Sequence, residues 1–320
     1  NSDYTGLAAD ITAGDTAARA GRKNWIINGS VIVSQRASYA TAVSMTTQAY
    51  YQDRWTTVIN NGVAATIQTK STDQPNGQVG NCIRVITSAG SSAAECVVDQ
   101  RVENPQQFAG KTLTFSVWMK SNTNKAGISH YNNQDSFVAP TNHTGGGAWE
   151  KLTLTHTVNA TGPTDFRLRL GLSQSGNTVV GVGDYFEVTE AQMEYGSVAT
   201  DFEHRSYGEE LLACQRYFRT IGVGISGTGQ DTTKVIFSYE HPVMRANPTL
   251  TMITSASFII SDDYAQDHAY TSGYSLDYAQ TTVLGGRIKV QGMSGLQNGE
   301  RMSILPTSNP VGMFHLSSEL

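Results

Sequence analysis

The chain has 320 residues, enough for two domains of ordinary size with a core in each. Charged residues are 15 %, against roughly 25 % in an average soluble domain, and polarity is carried by Thr, Ser, Asn, Gln and 31 Gly, which suits short strands and many turns. A net charge of -5 without a Lys/Arg cluster argues against nucleic-acid binding, and no apolar run reaches the roughly 20 residues of a membrane span.

Residues 1–24 hold small residues and a basic end at Arg19, Arg22 and Lys23 but no hydrophobic periodicity. They read as a connector without a core of its own. From Trp25 strand patterns follow one another. WIINGSVIV is broken by Asn28-Gly29, and YYQDRWTTVINNGVAATIQT carries a second turn signal at Asn61-Gly62. In KTLTFSVWMK, Leu113, Phe115, Val117 and Met119 face one way, and Thr112, Thr114, Ser116 and Trp118 the other. With the strand patterns around Cys82, Cys96, Trp149, Phe166 and Tyr185, the count is about eight short strands, which predicts a β-sandwich of jelly-roll type over 25–205. Cys82 and Cys96 would form a bridge only if their strands pair; otherwise, with Cys214, they are buried thiols.

A helix is predicted over 206–222. Ser206 and Glu209 have capping-box spacing, Glu209 and Glu210 sit in the first turn, and Arg216 and Arg219 in the last. Leu211, Leu212, Cys214, Tyr217 and Phe218 make an apolar stripe that must be buried. Residues 223–320 return to β patterns, with turns or edges at His241-Pro242 and Asn247-Pro248. GISGTGQD lacks the Lys and the context of a phosphate loop and reads as a turn. The fold class expected is therefore all-β: a jelly-roll sandwich, a short linking helix, and a second, smaller β-sandwich.

QMEYGSVATDFEHRSYGEELLACQRYF resembles the junction segment of tailed-bacteriophage fibre proteins, through Gln192, Glu194, Gly196, Ala199, Thr200, Phe202, Glu203, Arg205, Glu209, Glu210, Cys214, Gln215, Arg216 and Tyr217. Asn24, Asn28, Gly29, Gln35, Arg36, Asp53, Arg54 and Trp55 are similar to that family's sandwich start, and Pro242, Met244, Arg245, Pro248 and Thr249 to one of its strands. The resemblance covers about residues 13–250 and leaves 251–320 unmatched. It implies a virion component with a carbohydrate-binding-module-like jelly roll, usually homotrimeric. It further implies attachment to other virion proteins through the N-terminal segment and a C-terminal tip that meets a host surface glycan. In that setting Phe202 would plug a core, and Glu203, Arg205 and Arg216 would pair across the junction, with Leu211 and Leu212 buried there.

Sugars are bound by aromatic faces together with amides and carboxylates. Trp118, Tyr131 and Trp149 are candidates, each with packing or subunit contact as the plainer role. SDDYAQDHAYTSGYSLDY, residues 261–278, has a recognition-surface composition in Tyr264, Tyr270, Tyr274 and Tyr278 with Asp262, Asp263 and Asp267. Asp262, Asp263, Asp267 and His268 could instead hold Ca²⁺, although they lack EF-hand spacing; no other cofactor is indicated. No G-x-S-x-G occurs, and 27 acids single out no carboxylate pair, so the expectation is a non-enzymatic protein. A purely architectural virion protein and a glycan depolymerase are the rival readings.

Overall fold

The computed structural model describes residues 23–77, 80–174, 179–221, 225–252, 258–262, 267–269, 275–292, 296, 299, 301–306 and 314–320, the side chains of 76, 252, 258–262, 267–269, 275–280 and 304–306 excepted. The chain divides into two compact units, one of residues 1–34 with 38–210, the other of 35–37 with 211–320. The connector 1–22 and the tyrosines Tyr264, Tyr270 and Tyr274 lie outside the described residues, as does Asp263.

The strands of the first unit are β1 (Val43–Ser44), β2 (Thr56–Ile59), β3 (Ala64–Lys70), β4 (Cys82–Ala89), β5 (Cys96–Arg101), β6 (Thr112–Ser121), β7 (Ala126–Asn132), β8 (Ser136–Phe137), β9 (Thr141–Asn142), β10 (Trp149–Thr157), β11 (Phe166–Leu172) and β12 (Tyr185–Tyr195). One antiparallel sheet runs β1-β3-β4-β12-β6-β10; the other runs β2-β5-β11-β7-β8, with β9 also on β7. The inward set predicted for β6, Leu113, Phe115, Val117 and Met119, is fully buried. It meets Cys96, Val98, Ile128, Phe166, Leu168 and Leu170 of the facing sheet in a single core. Every second residue of these strands points in, so period-2 patterning on both sheets makes the sandwich.

One reading is corrected here. WIINGSVIV is not a strand. Asn28 adopts φ 60, and its side chain binds the backbone of Val33 and Asp53, so a buried irregular segment replaces a hairpin. Gly29 is required there, because a Cβ would strike Ala191 O. The Asn61-Gly62 turn joins β2 to β3, which belong to different sheets, so it turns a corner of the sandwich. Cys82 and Cys96 lie on different sheets, so no bridge joins them, and all three cysteines are the buried thiols expected. Burial pushes the Cys96 thiol up to about 12.

Helix α1 (Tyr207–Gln215) is shorter than predicted. The capping box forms: Ser206 N donates to Glu209 Oε2 (2.9 Å), and Glu209 N to Ser206 Oγ (3.3 Å). The predicted stripe does not hold as a unit. Cys214 and Glu210 are buried, Leu211 is half-buried, and Leu212 is 59 % exposed. Residue 212 lies about 200° around the helix from both 210 and 214, so one face cannot bury all three. Tyr217 and Phe218 are buried, but beyond the helix end. Among the described residues no helix is long and apolar enough to cross a membrane.

The second unit has strands β13 (Phe218–Ile221), β14 (Ser226–Asp231), β15 (Lys234–Glu240), β16 (Thr249–Met252), β17 (Phe258–Asp262), β18 (Asp267–Ala269), β19 (Ser275–Thr282), β20 (Gly285–Gln291), β21 (Arg301–Pro306) and β22 (Phe314–Ser317). They form a seven-stranded sheet, β18-β17-β21-β14-β15-β20-β19, and a three-stranded sheet, β13-β22-β16. Val235, Phe237, Ile288, Val290 and Met302 of the first meet Leu250, Phe314 and Leu316 of the second in one core. SGTGQD, residues 226–231 of the expected turn, is strand β14. Gly227 faces the core, where a Cβ would come 2.5 Å from the Phe237 ring. In the acidic, tyrosine-rich stretch, Asp262, Asp267 and Tyr278 fall in β17, β18 and β19 respectively.

Candidate functional site

The sheet register decides which candidates meet. β12 pairs Thr189 with Trp118, and β10 pairs Lys151 with Trp118 and Trp149 with Lys120. Trp118 and Trp149 are therefore diagonal neighbours on the outer face of the first sheet, both half-buried. Trp149 donates its indole N–H to Asp73 O (2.9 Å), and Asp73 also binds Lys120 (2.5 Å), so that tryptophan holds down the 71–77 loop. Glu187 is fully buried beside Lys70 (3.0 Å) and Arg84. The bulge between Thr189 and Gln192 puts Glu190 at φ 53, near His204 and Lys151. Burial raises the Glu190 carboxyl above its usual range, and those two residues only partly offset it.

Tyr131 lies on the opposite sheet. Across β5, β11 and β7 the register aligns Arg101 with Arg167 and Tyr131, and Asp99 with Arg169 and Ser129; β8 places Phe137 opposite Tyr131. All face away from the core. The Tyr131 and Phe137 rings meet at 4.9 Å between centroids. The Arg167 guanidinium lies 5.3 Å from the Tyr131 ring centre, and that of Arg169 5.0 Å from Phe137. Asp165 fixes Arg167 through both carboxylate oxygens (2.9 and 3.2 Å to Nε) and stands 3.6 Å from Arg101. Behind this row, buried Arg169 binds Asp99 (3.1 Å) and Glu95 (2.9 Å).

Two buried oxygens lie beneath this face. Asp99 Oδ2 and Ser129 Oγ have no hydrogen-bond partner, and burial holds the Asp99 carboxyl above its ordinary range despite Arg169. Phe137 is 44 % exposed, an aromatic face in water beside fixed charges. A planar aromatic face beside the part-exposed Arg167, Asp165 and Arg101 suits a ligand with C–H faces and hydroxyl edges.

The sequence reading found Tyr131 but missed Phe137, Arg167, Arg169 and Asp99. FRLRLGL carried a usable signal, since its alternation sets Arg167 and Arg169 on one face between inward leucines.

The junction residues sit elsewhere. Glu203 accepts from Lys23 N (3.0 Å) and Asn24 N (2.8 Å) and pairs with Arg205 (2.9 Å). Burial works against the Glu203 charge, but these donors hold its carboxyl below the usual range. Arg205 also binds Ile26 O and Asn24 O and meets Glu210 at 3.4 Å. The expected pairing across a junction is thus, for Glu203 and Arg205, a clamp inside the first unit on residues 23–28. Phe202 is half-buried, packed on the position of Gly29 and edge-on to His204. Arg216 gives its carbonyl to Arg245 N (2.8 Å) and Ser318 Oγ (3.1 Å) within the second unit. Among the described residues no cluster of His, Cys, Asp or Glu could hold a metal ion. Of the acidic Ca²⁺ candidates, Asp263 is not described, and Asp262, Asp267 and His268 are described in backbone only.

No family model and no curated protein sequence matches the chain. Among solved structures, a CBM4 module aligns over 53 % of this chain and 98 % of its own length, at 12 % identity and TM-score 0.31. The CBM22-1 xylan-binding domain of Paenibacillus barcinonensis covers 51 % and 99 %, at 12 % identity and TM-score 0.32. The enzymatically active domain of a bacteriophage CBA120 tailspike covers 54 % of this chain, at 13 % identity and TM-score 0.36. The match takes in 21 % of that tailspike domain. Likeness this remote carries no information on ligand or activity.

Proposed function

We propose that this chain is a non-catalytic, glycan-binding fibre protein of a bacteriophage particle, and that its first unit holds the glycan on the outer face of the β2-β5-β11-β7-β8 sheet. The observation that carries the reading is the Tyr131–Phe137 pair, backed by Arg167 and Arg169 and open to solvent at Phe137. The ring faces would stack on sugar C–H surfaces, while Arg167, Asp165 and Arg101 would bind hydroxyls. The virion setting, the homotrimer and attachment through residues 1–24 rest on the fibre-like sequence segments at 24–55 and 192–217. A recognition role for residues 261–278 rests on their composition alone.

The test is a glycan array, followed by titration calorimetry with the best-bound glycan. A Tyr131→Ala/Phe137→Ala protein that keeps its melting temperature should bind at least about tenfold more weakly. Unchanged affinity would remove this face from the binding site. Release of reducing sugar ends would turn the assignment into a depolymerase, and no binding to any glycan would leave an architectural body.

A further inference from the structure

The second unit carries a separate surface that the first unit's aromatic face does not explain. The outer face of its seven-stranded sheet has an open depression lined by Ser226, Thr228, Ser238, Arg287, Arg301 and Ser303. The register orders these groups. Ser303 of β21 pairs with Ser226 of β14, and Gly227 with Phe237, which aligns Ser226 with Ser238; Ser238 in turn pairs with Arg287. The next row on the same face runs Arg301, Thr228, Ile236 and Lys289. Alternate residues of the same strands, Phe237, Ile288 and Met302, fill the core, so these positions face away from it.

Arg287 and Arg301 are exposed and, among the described residues, form no ion pair. The lining contains no carboxylate. By register Glu240 lies opposite Gly285 at the edge of the depression and makes no salt bridge to Arg287, and Asp262 of β17 lies opposite Met302, the chain neighbour of Arg301. Four serine and threonine hydroxyls between two unneutralised guanidiniums form a donor-rich surface with positive charge at two points. The arginines stand three inter-strand steps and two residues along the strand apart, about 16 Å. One acidic group cannot engage both.

We propose that this depression binds an acidic oligosaccharide. Carboxylates on separate sugar residues would pair with Arg287 and Arg301, and the intervening hydroxyls would meet the serine row. Arginine favours such partners because its fork matches a carboxylate with two parallel hydrogen bonds.

The probe is tetragalacturonate, titrated into the full chain by calorimetry at low and high salt. Its fully methyl-esterified form serves as the uncharged control. Tetragalacturonate should bind, the ester should not, and added salt should weaken the complex. Arg287→Gln and Arg301→Gln should each lower affinity, and the double variant should lower it by about tenfold or more. Neither side chain is in a core or an ion pair, so melting curves should not move. As a second handle, Ser226→Asp should reduce binding by placing a carboxylate in the hydroxyl row. Tyr131→Ala/Phe137→Ala should leave tetragalacturonate binding intact, which separates this site from the one on the first unit. Equal binding of acid and ester, affinity unchanged in the double arginine variant, or no binding by the natural chain would each overturn the proposal. So would single-galacturonate binding as tight as that of the tetramer.

Discussion

His130 packs against Phe115 and Phe166, with ring centroids 4.9 and 5.1 Å away and planes nearly parallel, while the two phenyl rings are 6.0 Å from each other. It is fully buried and neither ring nitrogen has a partner. Burial, reinforced by His156, pushes its pKa from 6.5 down to about 3. The sign of the pH effect follows. Between about 3 and 6.5 the unfolded chain binds a proton that the fold refuses, so stability falls with acid at about 1.4 kcal/mol per pH unit. Denaturant titrations at pH 7 and pH 5 should therefore show a loss of about 2 kcal/mol from this residue. His130→Phe, which keeps an aromatic ring against Phe115 and Phe166 but cannot titrate, should remove that part of the loss. Equal losses in both proteins would mean that His130 is not held neutral. Glu190 is a second residue set by its surroundings. Its positive φ and half-buried carboxyl store strain at a bulge, which is where sheets re-aim side chains.

At the scale of elements, α1 owes its position to charge as much as to apolar burial. Glu210 Oε1 accepts from Asn28 N, and its carboxylate meets Arg205, which reaches Asn24 O and Ile26 O. The helix start is thereby tied to the first residues of the sandwich. Leu212→Ala should change stability by less than about 0.5 kcal/mol, since its side chain faces solvent. Glu210→Ala should cost about 2 kcal/mol, because it leaves the buried Asn28 amide without its acceptor and takes one of two carboxylates from Arg205. Thermal or denaturant unfolding of the two variants decides between an apolar and an ionic anchor, and the reverse order would restore the apolar stripe. The two-residue strands β8 and β9 show a similar dependence on context. Ser136–Phe137 pairs with Asn132 and Tyr131, and this short edge pairing sets Phe137 beside Tyr131.

For the whole molecule, the sequence-based expectation is a homotrimer. Light scattering on the full chain should give about three times the 34.5 kDa of one copy. A stable monomer at micromolar concentration would count against the fibre assignment while leaving both proposed saccharide surfaces testable. The two surfaces are also independent in energetic terms. Each is built within its own unit on its own sheet, and changes without shared partners add. A chain with both sites altered should show the sum of the two single effects.

What the sequence determined by itself was set by period and local chemistry. Strict alternation in KTLTFSVWMK put Leu113, Phe115, Val117 and Met119 in the core, because a strand's faces are fixed once one face is buried. Ser206 and Glu209 announced the helix start, since a capping box needs only residues three apart. The all-β class followed from the same patterns. Tertiary structure alone decided the rest. WIINGSVIV has strand composition, yet Asn28 captures Val33 and Asp53, and long-range side-chain bonds override propensity. GISGTGQD reads as a turn because glycine marks turns, while the fold uses Gly227 to admit Phe237. The site shows the same division. Alternation could set Arg167 and Arg169 on one face, but only the register of β5, β11, β7 and β8 brings them to Asp99, Tyr131 and Phe137. Strand order across a sheet is a property of the closed sandwich, and no local window of residues contains it.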